Sequence, residues 1–228
     1  PDAREMSAGR VAPLSAAEAA EGRSRMVERQ LRRRGVTDGG GLRAMSRVPR
    51  ELFVPPDVRH RAYEDTPLPI GLGQTISQPF IVATICSLLD LSGGERVLDV
   101  GAGSGYQAAV LSELADEVVT IERVPELAEQ ARAALRQAGY DNVELRVGDG
   151  SLGVPERAPF EGIAAAAPSI PPALYDQLAE GGRLVVPRGG RGGQELVLVE
   201  RTPEGPVERR SVSCRFVPLL GEEGFPGG

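Results

Sequence analysis

The sequence predicts an α/β protein built on a doubly wound, mostly parallel sheet that ends in antiparallel strands. Three observations predict it. Between residues 96 and 186, short apolar runs of strand character alternate with stretches of helical period. The first of these runs leads into a glycine-dense turn, Gly101-Ala102-Gly103-Ser104-Gly105, and then into a helical pattern. The last two strand-like runs flank Pro203-Glu204-Gly205, which reads as the turn of an antiparallel hairpin.

Taken in order, residues 1–22 are rich in Ala, Gly, Ser, Pro and charge. Despite a helical pattern from Leu14 to Ala20, they read as a flexible N-terminal extension. Ser24 is the candidate N-cap of a helix whose Met26, Val27 and Leu31 share a face, with Gly35 as its stop. Asp38 is the candidate cap of a short helix from Leu42 to Arg47. The stretch Pro67 to Pro79, PLPIGLGQTISQP, reads as a long loop of a functional kind, and Pro79 suits the first turn of a helix running from Phe80 to Leu89. Strands are then expected at Arg96–Val100, Glu117–Ile121, Val143–Val147 and Ile163–Ala167. Helices are expected at Ser104–Leu114, Pro125–Ala138 and Pro171–Leu178, the last ended by Gly181-Gly182. Strands at Arg183–Val186, Glu195–Val199 and Val207–Phe216 complete the sheet. One domain spans residues 23–221: a helical and loop region over 23–90, then the sheet over 91–221, with residues 222–228 as a flexible tail.

Composition narrows the chemistry. A chain of 228 residues, 41% of them hydrophobic, supports one sizeable core. The formal net charge of −6 argues against nucleic acid as a partner. Every basic side chain is arginine, so Schiff-base chemistry and a Walker lysine are excluded. His60 stands alone, and Cys86 and Cys214 read as buried or partly buried thiols, so no metal site of zinc-ligand spacing is expected. No run is apolar and long enough to span a membrane, and no secretory pattern opens the sequence, so a cytoplasmic location is expected.

The glycine loop lies in Val97 to Tyr106, VLDVGAGSGY, at the carboxyl end of the first strand, where open α/β sheets bind ligands. Its spacing is G-x-G-x-G rather than the G-x-G-x-x-G of dinucleotide sites, and Asp99 stands two residues before the first glycine. A carboxylate there suits a cationic ligand such as S-adenosylmethionine better than a pyrophosphate. Glu122 ends the second strand, where an acid can accept hydrogen bonds from ribose hydroxyls; the alternative is a solvent-facing strand end paired with Arg123. Asp149-Gly150 ends the third strand, either as an acceptor for an adenine amino group or as a plain turn.

These residues resemble a known family. DTPLPIGLGQTISQP (Asp65 to Pro79), GERVLDVGAGSGYQAAVLSELA, VTIERVPELAEQAR, VGDGSLG, PPALYDQLAEGGRLVVP and RFVPLLG follow the order and spacing of the protein-L-isoaspartate O-methyltransferases, covering roughly Arg25 to Gly221. The resemblance implies a Rossmann-like S-adenosylmethionine-dependent methyltransferase fold. It implies methyl transfer to the free α-carboxylate of L-isoaspartyl residues in damaged proteins and peptides, initiating repair through a succinimide. Carried over by position, Asp99, Gly101, Gly103, Gly105, Glu122, Asp149 and Gly150 bind the cofactor, and Thr75, Ile76 and Ser77 line the acceptor pocket. Ser77 matches the active-site serine, and Val217, Pro218 and Leu219 match the segment that receives the substrate backbone. An ionised carboxylate needs no general base, which suits a chain with one histidine. Two other readings compete: a carboxylate methyltransferase dedicated to one biosynthetic peptide, and a non-catalytic module that binds damaged peptides. A monomer is the favoured oligomeric state.

Overall fold

The structure, a computed structural model, describes residues 14–165, 170–190, 193–214, 216 and 221–222. Helix α1 spans Ala16–Arg25 and runs on through a wider turn, Met26–Leu31, to a tight turn, Arg32–Arg34, that stops at Gly35 with φ +88°. Ser15, not Ser24, is the cap. Its side chain accepts the Glu18 N–H while the Glu18 carboxylate accepts the Ser15 N–H, a reciprocal pair that fixes the start nine residues earlier than expected. Met26, Val27 and Leu31 are buried as their spacing indicates. Ala19 and Gly22 are buried too, and a Cβ on Gly22 would stand 2.7 Å from the Tyr63 ring, so residues 16–22 dock rather than trail. Residues 1–13 lie outside the described residues.

Helix α2, Gly39–Arg47, is capped by Asp38, whose oxygens accept the Gly40 and Gly41 N–H groups at 2.9 and 2.8 Å. The stretch expected as a long loop is instead a small antiparallel hairpin, β1 (Leu68–Gly71) and β2 (Gln74–Ile76), with Leu68 opposite Ile76. Pro and Gly density concealed it because the strands are short and the turn uses positive φ. Helix α3, Pro79–Leu89, follows with Pro79 in its first turn.

The main sheet is ordered β5-β4-β3-β6-β7-β8-β9. Its parallel part comprises β3 (Arg96–Val100), β4 (Glu117–Glu122), β5 (Val143–Val147), β6 (Phe160–Ala165) and β7 (Leu178–Gly190). Strands β8 (Gly193–Thr202) and β9 (Gly205–Cys214) add antiparallel pairings at one end, as the hairpin signal indicated. Helices α4 (Tyr106–Ser112), α5 (Pro125–Ala138) and α6 (Pro172–Asp176) complete the alternation. The helix expected to reach Leu178 stops earlier. Leu178 is buried and pairs with Phe160, so Gly181 and Gly182 fall inside the β7 run rather than ending a helix. The fourth strand begins at Phe160, three residues before the expected start, and residues 166–169 lie outside the described residues.

Alternation along β3 sets both cores. Val97 packs with Ile85, Val110 and Leu127 on one face, while Leu98 and Val100 pack with Ile163, Leu174 and Leu184 on the other. The chain winds from β3 to β4 and β5 on one side, then crosses to β6 on the other, so strand order reverses beside β3. The carboxyl ends of β3, β4 and β6 therefore open a crevice.

Candidate active site

The crevice is a cleft whose first wall is backbone. The N–H groups of Gly101 and Ala102 both donate to the Ile121 carbonyl, at 2.9 and 3.1 Å, pinning the glycine loop to the end of β4. Gly101 has φ +93°, and the space its Cβ would fill is open. Gly105, at φ +86°, is hemmed in by Ala131 and Leu135 of α5, each about 3.3 Å from a Cβ there. Gly150 also lines the cleft, and a Cβ on it would lie 2.6 Å from Val100 Cγ1. Gly103 lines the cleft as well and carries φ +52°.

The three strand-end carboxylates do not share one environment. Glu122 lines the cleft and is nearly buried, with one oxygen accepting the Gly103 N–H at 2.8 Å and the other the Val124 N–H at 3.0 Å. It thus braces the glycine loop and the start of α5 and makes no ion pair with Arg123 among the described residues. Asp99 is fully buried and does not line the cleft; its oxygens accept from Gln107 Nε2 at 2.7 Å and Thr120 Oγ1 at 2.9 Å. Burial pushes its pKa up to about 6, opposed by the Gln107 and Thr120 hydrogen bonds. Asp99 thus sits behind the cleft wall, bonded to Gln107, which does line the cleft. Asp149 faces a separate recess with Arg123, Gly148, Gly221 and Glu222. Its Oδ1 accepts from the Ser151 N–H and hydroxyl, and its Oδ2 accepts the Glu222 N–H at 2.8 Å. Burial opposes its ionisation, but these bonds outweigh burial and leave its pKa below the ordinary value. Its carboxylate is engaged by its own turn and the C-terminal backbone rather than aimed into the main cleft.

The second wall is the hairpin. Gln74, Thr75, Ile76, Ser77 and Gln78 all line the cleft, so the three residues expected at the acceptor pocket do face the glycine loop. Ile76 is buried, Ser77 half-buried and Thr75 exposed. Ile81, Val82 and Ile85 of α3 add apolar surface. The hairpin is held from behind by side chains. Asp65 Oδ1 accepts the Phe80 N–H at 3.1 Å, and Asp65 pairs with Arg34, whose guanidinium lies 3.5 Å over the Phe80 ring. Arg50 donates from Nη2 to the Ser77 carbonyl at 2.9 Å.

Phe216 closes the cleft from the C-terminal side, its N–H donating to Gln194 Oε1 at 2.7 Å. Val217, Pro218 and Leu219 lie outside the described residues. Sequence reasoning missed Phe216, Gln107, Tyr106 and Arg50. Phe216 opens the FVPLL run and Gln107 follows the glycine loop directly, so proximity was their available signal; Arg50 had none. Among the described residues no three His, Cys, Asp or Glu side chains cluster as metal ligands, and no helix is long and apolar enough to cross a membrane.

A glycine loop and a strand-end carboxylate facing a hydroxyl-bearing hairpin, at the switch point of this sheet, define a class: the S-adenosylmethionine-dependent methyltransferases of α/β fold. The family model for protein-L-isoaspartate(D-aspartate) O-methyltransferase matches residues 21–224, and the chain belongs to that family. It is 57% identical over 208 residues to protein-L-isoaspartate O-methyltransferase 2 of Marinobacter nauticus, covering 90% of this chain and 95% of that one. It is 56% identical over 213 residues to the Aeropyrum pernix protein-L-isoaspartate O-methyltransferase, covering 90% and 82%. A solved protein-L-isoaspartate O-methyltransferase superposes with a TM-score of 0.79 at 31% identity over 89% of this chain and 67% of that chain. A Plasmodium falciparum structure, described as a beta-aspartate methyltransferase in complex with S-adenosyl-L-homocysteine, superposes with a TM-score of 0.76 at 26% identity, covering 87% and 98%.

Proposed function

We propose that this chain methylates the free α-carboxylate of L-isoaspartyl residues in damaged proteins and peptides, using S-adenosylmethionine, as the step that initiates repair through a succinimide. The observation that carries this reading is the meeting of the two walls across one cleft in a chain of this family. The glycine wall fits the cofactor: Gly101 leaves open space against bare backbone, and Glu122 keeps acceptor lone pairs beyond its two backbone bonds. Gly101, Gly103, Gly150 and Glu122 hold it, and Gly105 lets the loop turn tightly into α4 against α5. Asp99 acts through Gln107, and Asp149 acts by shaping the Gly150 turn. Bound there, S-adenosylmethionine supplies an electrophilic methyl group.

The chain's remaining task is positioning. The acceptor carboxylate is ionised at neutral pH, so no residue has to remove a proton. Ser77 and Thr75 orient it with their hydroxyls, Ile76 packs against it, and the segment Val217 to Leu219 receives the peptide backbone. These bonds must hold the carboxylate without burying its reactivity, because its charge is lost in transfer. The finer partner and location readings are a monomer in the cytoplasm, the location supported by two free thiols. A net charge of −6 supports peptides rather than nucleic acid as partners.

The test is incubation with labelled S-adenosylmethionine and two peptides that differ only in L-isoaspartyl or L-aspartyl at one site. Base-labile label in the isoaspartyl peptide alone is expected, across several unrelated sequences. Label in neither peptide, with the cofactor still bound, would sink the reading.

A further inference from the structure

Arg50 is a fully buried cation with an unusual set of partners. Its Nε donates to the Ala62 carbonyl at 2.7 Å and its Nη2 to the Ser77 carbonyl at 2.9 Å, while its Nη1 is buried with no hydrogen-bond partner among the described residues. Its guanidinium carbon lies 4.6 Å from the centroid of the Tyr106 ring. Among the described residues no carboxylate lies within ion-pair distance of it; Asp65, whose charge influences it, is engaged by Arg34. Arginine does not give up its proton in proteins, so this charge persists although burial disfavours it. Two neutral carbonyls and an aromatic face are an incomplete answer to a buried positive charge. Of the groups it touches, Ser77 and Tyr106 line the cleft and Ala62 does not.

We propose that Arg50 is the positioning residue of the acceptor wall, fixing the Ser77 carbonyl and supplying the positive charge that selects an acceptor carboxylate over an uncharged group. The acceptor's own negative charge is the counter-charge that Arg50 lacks. That charge is present on the bound acceptor and disappears as the ester forms. Arg50 therefore favours the bound state more than the transition state, and its effect falls on KM and peptide affinity rather than on kcat. A purely structural arginine would change affinity without regard to the acceptor's charge.

The inference rests on the activity proposed above, and its test separates the two. Binding of an L-isoaspartyl peptide and of the same peptide with that α-carboxylate converted to a carboxamide is measured with S-adenosylhomocysteine present. Wild type, Arg50→Met and Arg50→Lys are compared, each first checked for S-adenosylhomocysteine binding. Wild type is expected to prefer the acid. Arg50→Met should lose about tenfold of that preference with amide affinity little changed, and its KM for the isoaspartyl peptide should rise while kcat stays within about threefold. Arg50→Lys keeps the charge and should keep most of the preference, which also covers the case in which Arg50→Met does not fold. An unchanged preference in Arg50→Met, or equal loss in Arg50→Lys and Arg50→Met, would overturn the role of Arg50 alone. Wild type binding neither peptide would instead overturn the acceptor assignment of the cleft, and this inference with it.

Discussion

The two walls of the cleft are made rigid by different means. The glycine wall is held by main chain: β3 is flanked by β4 and β6, two loop N–H groups converge on the Ile121 carbonyl, and the Glu122 carboxylate closes the arrangement. The hairpin wall has one short strand pairing, from Leu68 opposite Ile76 to Gly71 opposite Gln74, and depends on side chains behind it. Arg50 reaches Ser77 from 27 residues away, and Arg34 reaches Asp65 from 31. A wall built on parallel strands keeps its shape from within. A wall built on a hairpin takes its shape from whatever is packed behind it, and can be retuned by residues that never touch the ligand.

This contrast can be broken or sharpened experimentally. The largest effect is expected beneath the glycine wall. The Asp99 carboxyl is held at about 6 against an ordinary 3.8, so ionising it costs the folded protein free energy on the order of 3 kcal/mol. The penalty is absent below the ordinary value of 3.8 and complete above about 6, so its share of stability falls as pH rises through that window. Asp99→Asn should flatten this part of the pH–stability curve in thermal or denaturant melts from pH 4 to 7; a curve parallel to wild type would refute it.

Next comes Glu122→Ala, which removes a charged acceptor from both the Gly103 and Val124 N–H groups. S-adenosylhomocysteine affinity measured by calorimetry should fall about 10- to 100-fold. Unchanged affinity would take Glu122 out of the cofactor wall. Gly150→Ala places a methyl 2.6 Å from Val100 Cγ1 at the same strand ends. It should cost about 1–3 kcal/mol of stability, read as a lower denaturation midpoint. A neutral outcome would mean that the strand ends yield more readily than a main-chain wall should.

The sheet half was legible in the sequence because its devices are local. Strand-period runs, the G-x-G-x-G turn and Pro79 each act within a few residues of where they are read. Ser77, Thr75 and Ile76 were reached through the resemblance of their segment to a known family, whereas the hairpin they sit on was hidden. Gly71, Leu72 and Gly73 all take positive φ, a turn whose signature reads as a loop. Asp99 was assigned to the ligand because a carboxylate before a glycine loop carries that chemistry. Strand alternation places it under α4, bonded to Gln107 and Thr120, a placement that depends on which sheet face α4 covers. Arg50 was not legible because its partners, Ala62, Ser77 and Tyr106, are brought together only by the tertiary fold.

The smallest of the expected effects gives the most direct test of the central claim, that the walls have separable tasks. Ser77→Ala is made, and two quantities are measured on it: kcat/KM for an isoaspartyl peptide and the dissociation constant of S-adenosylhomocysteine. The account predicts a loss of about tenfold in the first, the value of one hydrogen bond to a charged group, and a second quantity within about twofold of wild type. A parallel fall in both would contradict it, because the hairpin hydroxyl would then be part of the cofactor wall.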